Sequence, residues 1–107
     1  MSYTVAEFIT LRLKQLGCYH VFGVPGTSCS DFIDSLVVDP DMKFINSVNE
    51  LEAGYAADGY GRQGSLGAVS VAYGVGTLSM ANGVASALTE RVPLAVINGG
   101  PTDKDLR

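Results

Sequence analysis

The stretch of sequence that decides the fold is LGAVSVAYGVGT, residues 66–77. Its first part, Leu66 to Tyr73, is apolar almost throughout, as expected for a strand that is covered on both faces of a parallel sheet. A glycine turn follows, and Thr77 is a residue type that caps helix N-termini, so a helix is predicted from there to about Glu90. A buried strand, a glycine turn and a helix in succession are typical of an α/β domain.

The same alternation of helices and strands extends along the rest of the chain. Thr4 and Glu7 have the spacing of a capping box, which starts a helix, and Gly17 supplies a stop for it. Asn49, with Glu52 three residues later, predicts another helix start directly after a strand. The predicted helices are Thr4 to Leu16, Ser28 to Val37, Asn49 to Tyr60 and Thr77 to Glu90, and the predicted strands are Tyr19 to Val24, Lys43 to Val48, Leu66 to Tyr73 and Pro93 to Asn98.

This order of elements predicts an α/β fold with a parallel sheet of about four strands and helices on both faces. The composition, with 47% apolar and 17% charged residues, fits one globular domain. Sheets of this class commonly have five or six strands, so residues 1–107 are expected to form the N-terminal portion of a domain, apparently an incomplete one.

Charge and cysteine usage exclude several classes of function. The formal net charge is −4 and the seven Lys and Arg residues are scattered, so no nucleic-acid partner is predicted. The uncharged run between Arg62 and Glu90 is interrupted by glycines and serines, so no membrane span is predicted. Cys18 and Cys29 lack a CxxC spacing and are predicted to be buried free thiols. The N-terminus lacks the pattern of a secretory signal, and a cytoplasmic location is expected.

Ligands of open parallel sheets bind beyond the carboxyl ends of the strands. Three predicted loops lie there, at residues 23–28, 47–50 and 73–77. Glu50 falls in the first turn of its helix, where the helix dipole stabilises a negative charge, so it is a candidate for proton transfer. An ordinary first-turn acid that only complements the dipole would have the same pattern, and the local sequence leaves both interpretations open.

Other chemistries have weaker support in the sequence. The segment Gly74-Val75-Gly76-Thr77-Leu78-Ser79 resembles a dinucleotide-binding fingerprint, but Ser79 replaces its third glycine and Asn98 stands where an acid is expected. His20, at the start of the first predicted strand, is predicted to be structural. Ser28 and Ser30 have no nearby basic partner, so nucleophilic hydrolysis is not predicted. No metal site is predicted from these residues.

Two segments together resemble a known family. They are Val21-Phe22-Gly23-Val24-Pro25-Gly26 and Asn49-Glu50-Leu51-Glu52-Ala53-Gly54-Tyr55-Ala56-Ala57-Asp58-Gly59-Tyr60-Gly61-Arg62. Nearly the whole chain resembles the N-terminal pyrimidine-binding domain of thiamine-diphosphate-dependent enzymes. Residues 73–83 and 90–93 are closest to the pyruvate, indolepyruvate and branched-chain 2-oxo-acid decarboxylases.

The resemblance implies a role for each matching residue. Glu50 would hydrogen-bond the aminopyrimidine ring of thiamine diphosphate and activate the cofactor as the catalytic residue. The cofactor-binding residues would be Pro25, Gly26, Glu50, Tyr73, Gly74 and Val75. Magnesium and the diphosphate would be held by a second domain or a separate subunit, because no segment of this sequence matches those ligands. The resemblance also implies a homo-oligomer, a small 2-oxo-acid substrate, and a chain that is inactive alone.

Two residues depart from the decarboxylase pattern. Thr27 stands where an aspartate is usual after the Pro-Gly turn, and Thr77 stands where a glutamate follows Gly-Val-Gly. The alternatives are therefore a carboligase domain like that of acetolactate synthase, or a non-catalytic interaction module that keeps the same fold.

Overall fold

The computed structural model describes residues 2–106, so Met1 and Arg107, the ends of the predicted domain, lie outside the described part. Helices and strands alternate along it, in the order α1 Val5–Gln15, β1 His20–Gly23, α2 Ser30–Val37, β2 Lys43–Asn46, α3 Glu50–Gly61, β3 Gly67–Val71, α4 Val75–Thr89 and β4 Leu94–Asn98. The strands form one sheet in the order β2-β1-β3-β4, and every neighbouring pair is parallel. The predicted fold class is confirmed.

Side chains on alternate positions of the strands build two cores. On one face, Val21 and Ala68 pack in a cluster with Leu13 of α1 and Leu36 of α2. On the other face, Val69 and Val71 pack with Ala53 and Ala57 of α3 and Met80 of α4. Successive strand residues point to opposite faces of the sheet, which gives each face a core of its own. Helices α1 and α2 cover one face, and α3 and α4 cover the other.

The predicted caps of two helices are confirmed. The Glu7 amide donates to the Thr4 hydroxyl at 3.1 Å, and the Thr4 amide donates to the Glu7 carboxylate at 2.8 Å, which completes the capping box of α1. Gly17 follows α1 with φ of 81°, a conformation that favours glycine. The Asn49 side chain accepts from the Glu52 amide at 2.8 Å and fixes the start of α3.

The predicted cap at Ser28 is wrong. The Cys29 amide donates to the Gly26 carbonyl at 3.1 Å, which closes a 3-10 turn over Thr27–Cys29 before α2 begins at Ser30. No side chain caps α2. The Ser28 hydroxyl is buried against the chain at Gly99 instead, a contact between segments that are distant in sequence.

The predicted cap at Thr77 is also wrong. Gly74, with φ of 78°, precedes the first residue of α4, and its carbonyl accepts from the Leu78 amide at 3.0 Å. The helix therefore starts two residues earlier than predicted, because glycine makes the tight turn out of β3. The strands are shorter than predicted by one or two residues at their ends.

Cys18 and Cys29 are buried free thiols, as predicted. Burial raises the pKa of the Cys18 thiol, because the thiolate would lose its hydration. Within residues 2–106, none of the helices has the length and hydropathy needed to span a bilayer.

Candidate cofactor-binding site

The candidate site lies where the carboxyl ends of the strands meet. The loops that follow β1, β2 and β3 all emerge at this edge, because the strands are parallel. Two helices, α3 and α4, begin there and run back along the same face of the sheet. Their N-terminal amides give the edge a positive electrostatic potential, which favours an anionic group.

Glu50 is the first residue of α3, and its side chain is half-buried. The neighbouring acid, Glu52, has a local role, since its carboxylate accepts from the Val48 amide at 3.3 Å. Among residues 2–106, by contrast, the Glu50 carboxylate has neither a hydrogen-bond donor nor a cation as a partner. It is thus available to an external donor.

Gly76 lies next to this carboxylate. A methyl group placed on Gly76 would be 3.7 Å from Glu50 Cγ, 3.8 Å from Glu50 Oε1 and 3.6 Å from Val71 Cβ. Gly76 is buried in the first turn of α4. The half-buried carboxylate of Glu50 therefore lies beside the first turn of α4.

Pro25 and Gly26 form the turn after β1. A methyl group on Gly26 would lie 3.1 Å from the side chain of Ala72, so this turn contacts the segment that follows β3. Pro25 is exposed and Gly26 is half-buried. The structure thus brings the predicted loop 23–28 close to the residue that immediately precedes the predicted loop 73–77.

Tyr73, Gly74 and Val75 follow Ala72 and complete the set of predicted cofactor-binding residues. The side chains of Tyr73 and Val75 are 49% and 81% exposed, and Gly74 is exposed between them. Exposed apolar side chains next to an unpaired carboxylate suit a flat, partly apolar ring with a polar edge. Among the described residues, nothing lies within 4 Å of the position that a side chain on Gly74 would take, so this segment leaves room for an aminopyrimidine ring, and the unpaired Glu50 carboxylate is of a type that can hydrogen-bond its ring nitrogen.

Sequence reasoning missed two features of this edge. Gly76 is not among the predicted site residues, although its position shortly after the strand end is compatible with contact to a neighbouring helix. The Thr77 hydroxyl donates to Asn98 Oδ1 at 3.1 Å and ties α4 to the end of β4. This pair joins residues 21 positions apart, and no local signal indicates it.

Other candidate residues lie away from the edge. His20 Nδ1 is 3.1 Å from the Tyr60 hydroxyl, at the opposite end of the sheet, which supports its predicted structural role. A groove of about 650 Å³ between α1, α2 and the end of β4 does not include Glu50. In the described part of the chain, no three His, Cys, Asp or Glu side chains are grouped to bind a metal.

Comparison with known proteins decides the family. Residues 3–107 match the family described as "Thiamine pyrophosphate enzyme, N-terminal TPP binding domain". The chain belongs to this family. Thiamine pyrophosphate is another name for thiamine diphosphate, so the resemblance predicted from the two motif segments is confirmed.

Three relatives show which kind of enzyme in this family the chain is similar to. The chain is 47% identical over 100 residues to the alpha-keto-acid decarboxylase of Mycobacterium tuberculosis (strain ATCC 25618 / H37Rv). It is 46% identical over 101 residues to that of Mycobacterium avium (strain 104) and over 100 residues to that of Mycobacterium ulcerans (strain Agy99). Each match covers 94% of this chain and 18% of the relative. An alpha-keto acid is a 2-oxo acid, so the predicted likeness to 2-oxo-acid decarboxylases is confirmed.

Proposed function

We propose that residues 1–107 form the N-terminal portion of the pyrimidine-binding domain of a thiamine-diphosphate-dependent 2-oxo-acid decarboxylase, a lyase in which Glu50 is catalytic. The observation that carries the proposal is the half-buried Glu50 carboxylate, which lies against Gly76 and has no partner among residues 2–106. The identity to alpha-keto-acid decarboxylases supports the reaction class.

Glu50 would give and take back a proton at the ring nitrogen that it faces. Thiamine diphosphate, when bound, supplies the carbon nucleophile and the ring that takes up the electrons released with carbon dioxide. Pro25, Gly26, Tyr73, Gly74 and Val75 would line the pocket of the aminopyrimidine. The N-terminal backbone amides of α3 and α4 lie at the same edge of the sheet as this carboxylate.

The remaining cofactor ligands would come from elsewhere. The chain spans 18% of the length of the relatives that it matches, and we propose that a diphosphate-binding domain or subunit supplies the Mg²⁺ and diphosphate ligands. We expect the purified chain to bind thiamine diphosphate and Mg²⁺ weakly and to turn over no 2-oxo acid. Isothermal titration calorimetry measures the first expectation, and submicromolar binding would contradict it.

A homo-oligomer is supported by the outer face of α4. Val75, Leu78 and Leu88 lie on this helix and are 81%, 76% and 78% exposed, and α4 carries no charged residue. An apolar helix face without charges favours burial against a second copy of the chain. Analytical ultracentrifugation of the wild type and Leu78→Glu tests this, and a monomeric wild type would contradict it.

We also propose a cytoplasmic location. Its support is that Cys18 and Cys29 are free and buried, since thiols persist most readily in a reducing compartment. Cell fractionation with an antibody to the chain would test the location.

A chimera tests the catalytic proposal most directly. This chain would replace the matching segment of the Mycobacterium tuberculosis alpha-keto-acid decarboxylase, and carbon dioxide release from a 2-oxo acid would be measured. Glu50→Gln keeps the size of the side chain but not its charge, and we expect a loss of about 10²-fold or more in kcat. Glu52→Gln is the matched control, because glutamine still accepts from the Val48 amide.

The possible outcomes separate the alternatives. An inactive Glu50→Gln chimera beside an active Glu52→Gln chimera supports the proposal. Full activity of Glu50→Gln would refute the catalytic role of Glu50, whereas an inactive unsubstituted chimera would favour an interaction module. Formation of a carbon–carbon bond between two substrate molecules as the main product would favour a carboligase.

A further inference from the structure

Helices α3 and α4 are in unusually close contact along the face of the sheet that carries Glu50. Near their N-termini the Glu50 side chain lies beside Gly76, as described above. Further along the pair, Gly54, one turn after Glu50 on α3, meets Gly83, two turns after Gly76 on α4. Both glycines are buried, so the helix backbones face each other without intervening side chains.

Gly83 is the tightest point of this contact. A methyl group on Gly83 would lie 2.8 Å from the carbonyl carbon of Gly54, 2.9 Å from its Cα and 2.9 Å from the Tyr55 amide nitrogen. These are backbone atoms, which cannot rotate away as a side chain can. Any side chain at position 83 therefore requires the helices to separate.

Gly54 is less tightly enclosed. A methyl group on Gly54 would lie 3.2 Å from the Met80 carbonyl oxygen and 3.3 Å from Met80 Cγ. The methionine side chain is flexible and can give way in part. A methyl group at position 54 should therefore separate the helices less than one at position 83.

Nearer their C-termini, a side-chain hydrogen bond joins α3 and α4. The Asp58 side chain accepts a hydrogen bond from the Ser86 hydroxyl at 3.4 Å, and only 5% of Asp58 is exposed. The first turn of α4 is itself held to the end of β4, because the Thr77 hydroxyl donates to Asn98. A wedge between α3 and α4 would therefore move Glu50, on α3, away from Gly76, on α4.

We propose that Gly83 is a positioning residue that sets where the Glu50 carboxylate lies, by fixing the distance between α3 and α4. This inference rests on the proposed catalytic role of Glu50. It adds a residue that contacts neither the carboxylate nor the candidate cofactor-binding residues. Gly83 acts only through the backbone of α3.

Three glycine-to-alanine variants form a graded test in the purified chain. The new methyl group of Gly59→Ala has no atom of the described chain within 4 Å, that of Gly54→Ala has its nearest neighbour at 3.2 Å, and that of Gly83→Ala meets backbone at 2.8 Å. The readout is the nuclear Overhauser effect between the Glu50 γ protons and the Gly76 α protons, together with the Glu50 carboxylate ¹³C shift. We expect the Glu50–Gly76 nuclear Overhauser effect to be unchanged in Gly59→Ala, weaker in Gly54→Ala and absent in Gly83→Ala.

Gly17→Ala separates lost stability from displaced helices. Gly17 has φ of 81° and open space around it, so alanine there is strained by backbone conformation alone. It lies after α1, away from both helices of the pair. We expect Gly17→Ala to lower the melting temperature and to leave the Glu50 signals as in the wild type.

The same variants in the chimera give a functional readout. A misplacement of about 1 Å can cost about 10²-fold in rate, so we expect kcat to fall by about that factor for Gly83→Ala and to stay within about twofold for Gly59→Ala. KM should change less than kcat, because the binding surface remains. Retention of the Glu50–Gly76 effect in a folded Gly83→Ala chain would overturn the proposal.

Two further outcomes are decisive. If Gly83→Ala does not fold, Gly54→Ala decides, and unchanged Glu50 signals in that variant would overturn the proposal. If Glu50→Gln chimeras stay active, the proposed function fails, but the displacement of Glu50 in the graded series still stands. The two failures are therefore distinguishable.

Discussion

The buried carboxylate of Asp58 and its partner Arg62 should contribute unequally to stability. Asp58 accepts from Arg62 Nε at 3.0 Å, from Arg62 Nη2 at 3.3 Å and from the Ser86 hydroxyl at 3.4 Å. The Asp58 side chain is 7% exposed, whereas that of Arg62 is 44% exposed. The hydrogen bond with Asp58 raises the pKa of Arg62, so the guanidinium stays charged.

Replacing Asp58 leaves a cation without its partner, whereas replacing Arg62 leaves an anion without its partner. Asp58→Ala leaves an exposed guanidinium, which water can solvate, so the cost is the lost charge-assisted hydrogen bonds, about 2 kcal/mol. Arg62→Met leaves a carboxylate buried without its cation, and a larger loss is expected. For a domain of this size, about 2 kcal/mol corresponds to a fall of about 8–16 °C in melting temperature.

Urea unfolding, followed by circular dichroism at neutral pH, measures both changes. Ser86→Ala is the control, with a loss of about 0.5 kcal/mol, because its hydrogen bond is long. We expect Arg62→Met to unfold at a lower urea concentration than Asp58→Ala. If Asp58→Ala is less stable than Arg62→Met, the argument from burial is refuted.

Three further predictions concern stability. Arg91 has φ of 57°, so Arg91→Gly should raise the free energy of unfolding by about 1 kcal/mol in urea titrations, and a loss would contradict it. Asn49→Ala removes the cap of α3 and should cost about 1 kcal/mol in the same assay, whereas Asn49→Asp should not. The Asp41 amide and the Lys14 ammonium lower the pKa of Asp39, so its contribution is present above about pH 4 and is lost as the pH falls through the lowered pKa. Asp39→Asn should therefore lose less stability on acidification than the wild type in acid titrations, and equal acid sensitivity would contradict this.

Local pattern was sufficient for the fold class and for some helix starts. The capping box at Thr4 and the cap at Asn49 depend on residues three positions apart, so their hydrogen bonds are encoded locally. Ser28 and Thr77 are equally good capping types, but neither hydroxyl group caps a helix. Within residues 2–106 the Ser28 hydroxyl is buried without a hydrogen-bond partner. Ser28 lies against Gly99 and Thr77 donates to Asn98, and such competition between distant segments is not visible in a local window.

A local sequence window also predicts only part of the candidate site. The position of Glu50 at the sheet edge follows from the rule that parallel strands end together, so it could be predicted. Its contact with Gly76 depends on the distance between two helices that are separated by a strand in the sequence. That distance is set by the meeting of Gly54 and Gly83, which only the packed structure specifies.

The two edge strands of the sheet, β2 and β4, differ in how strongly they oppose pairing with a strand of another molecule. Strand β2 presents the exposed Lys43 at its rim, and a charge there opposes association with another strand. Strand β4 has the sequence Leu-Ala-Val-Ile-Asn, without a charge, and Val96 is 38% exposed. Aggregation of concentrated samples, beyond the proposed contact through α4, should consequently begin at the edge of β4, and Val96→Lys should reduce it.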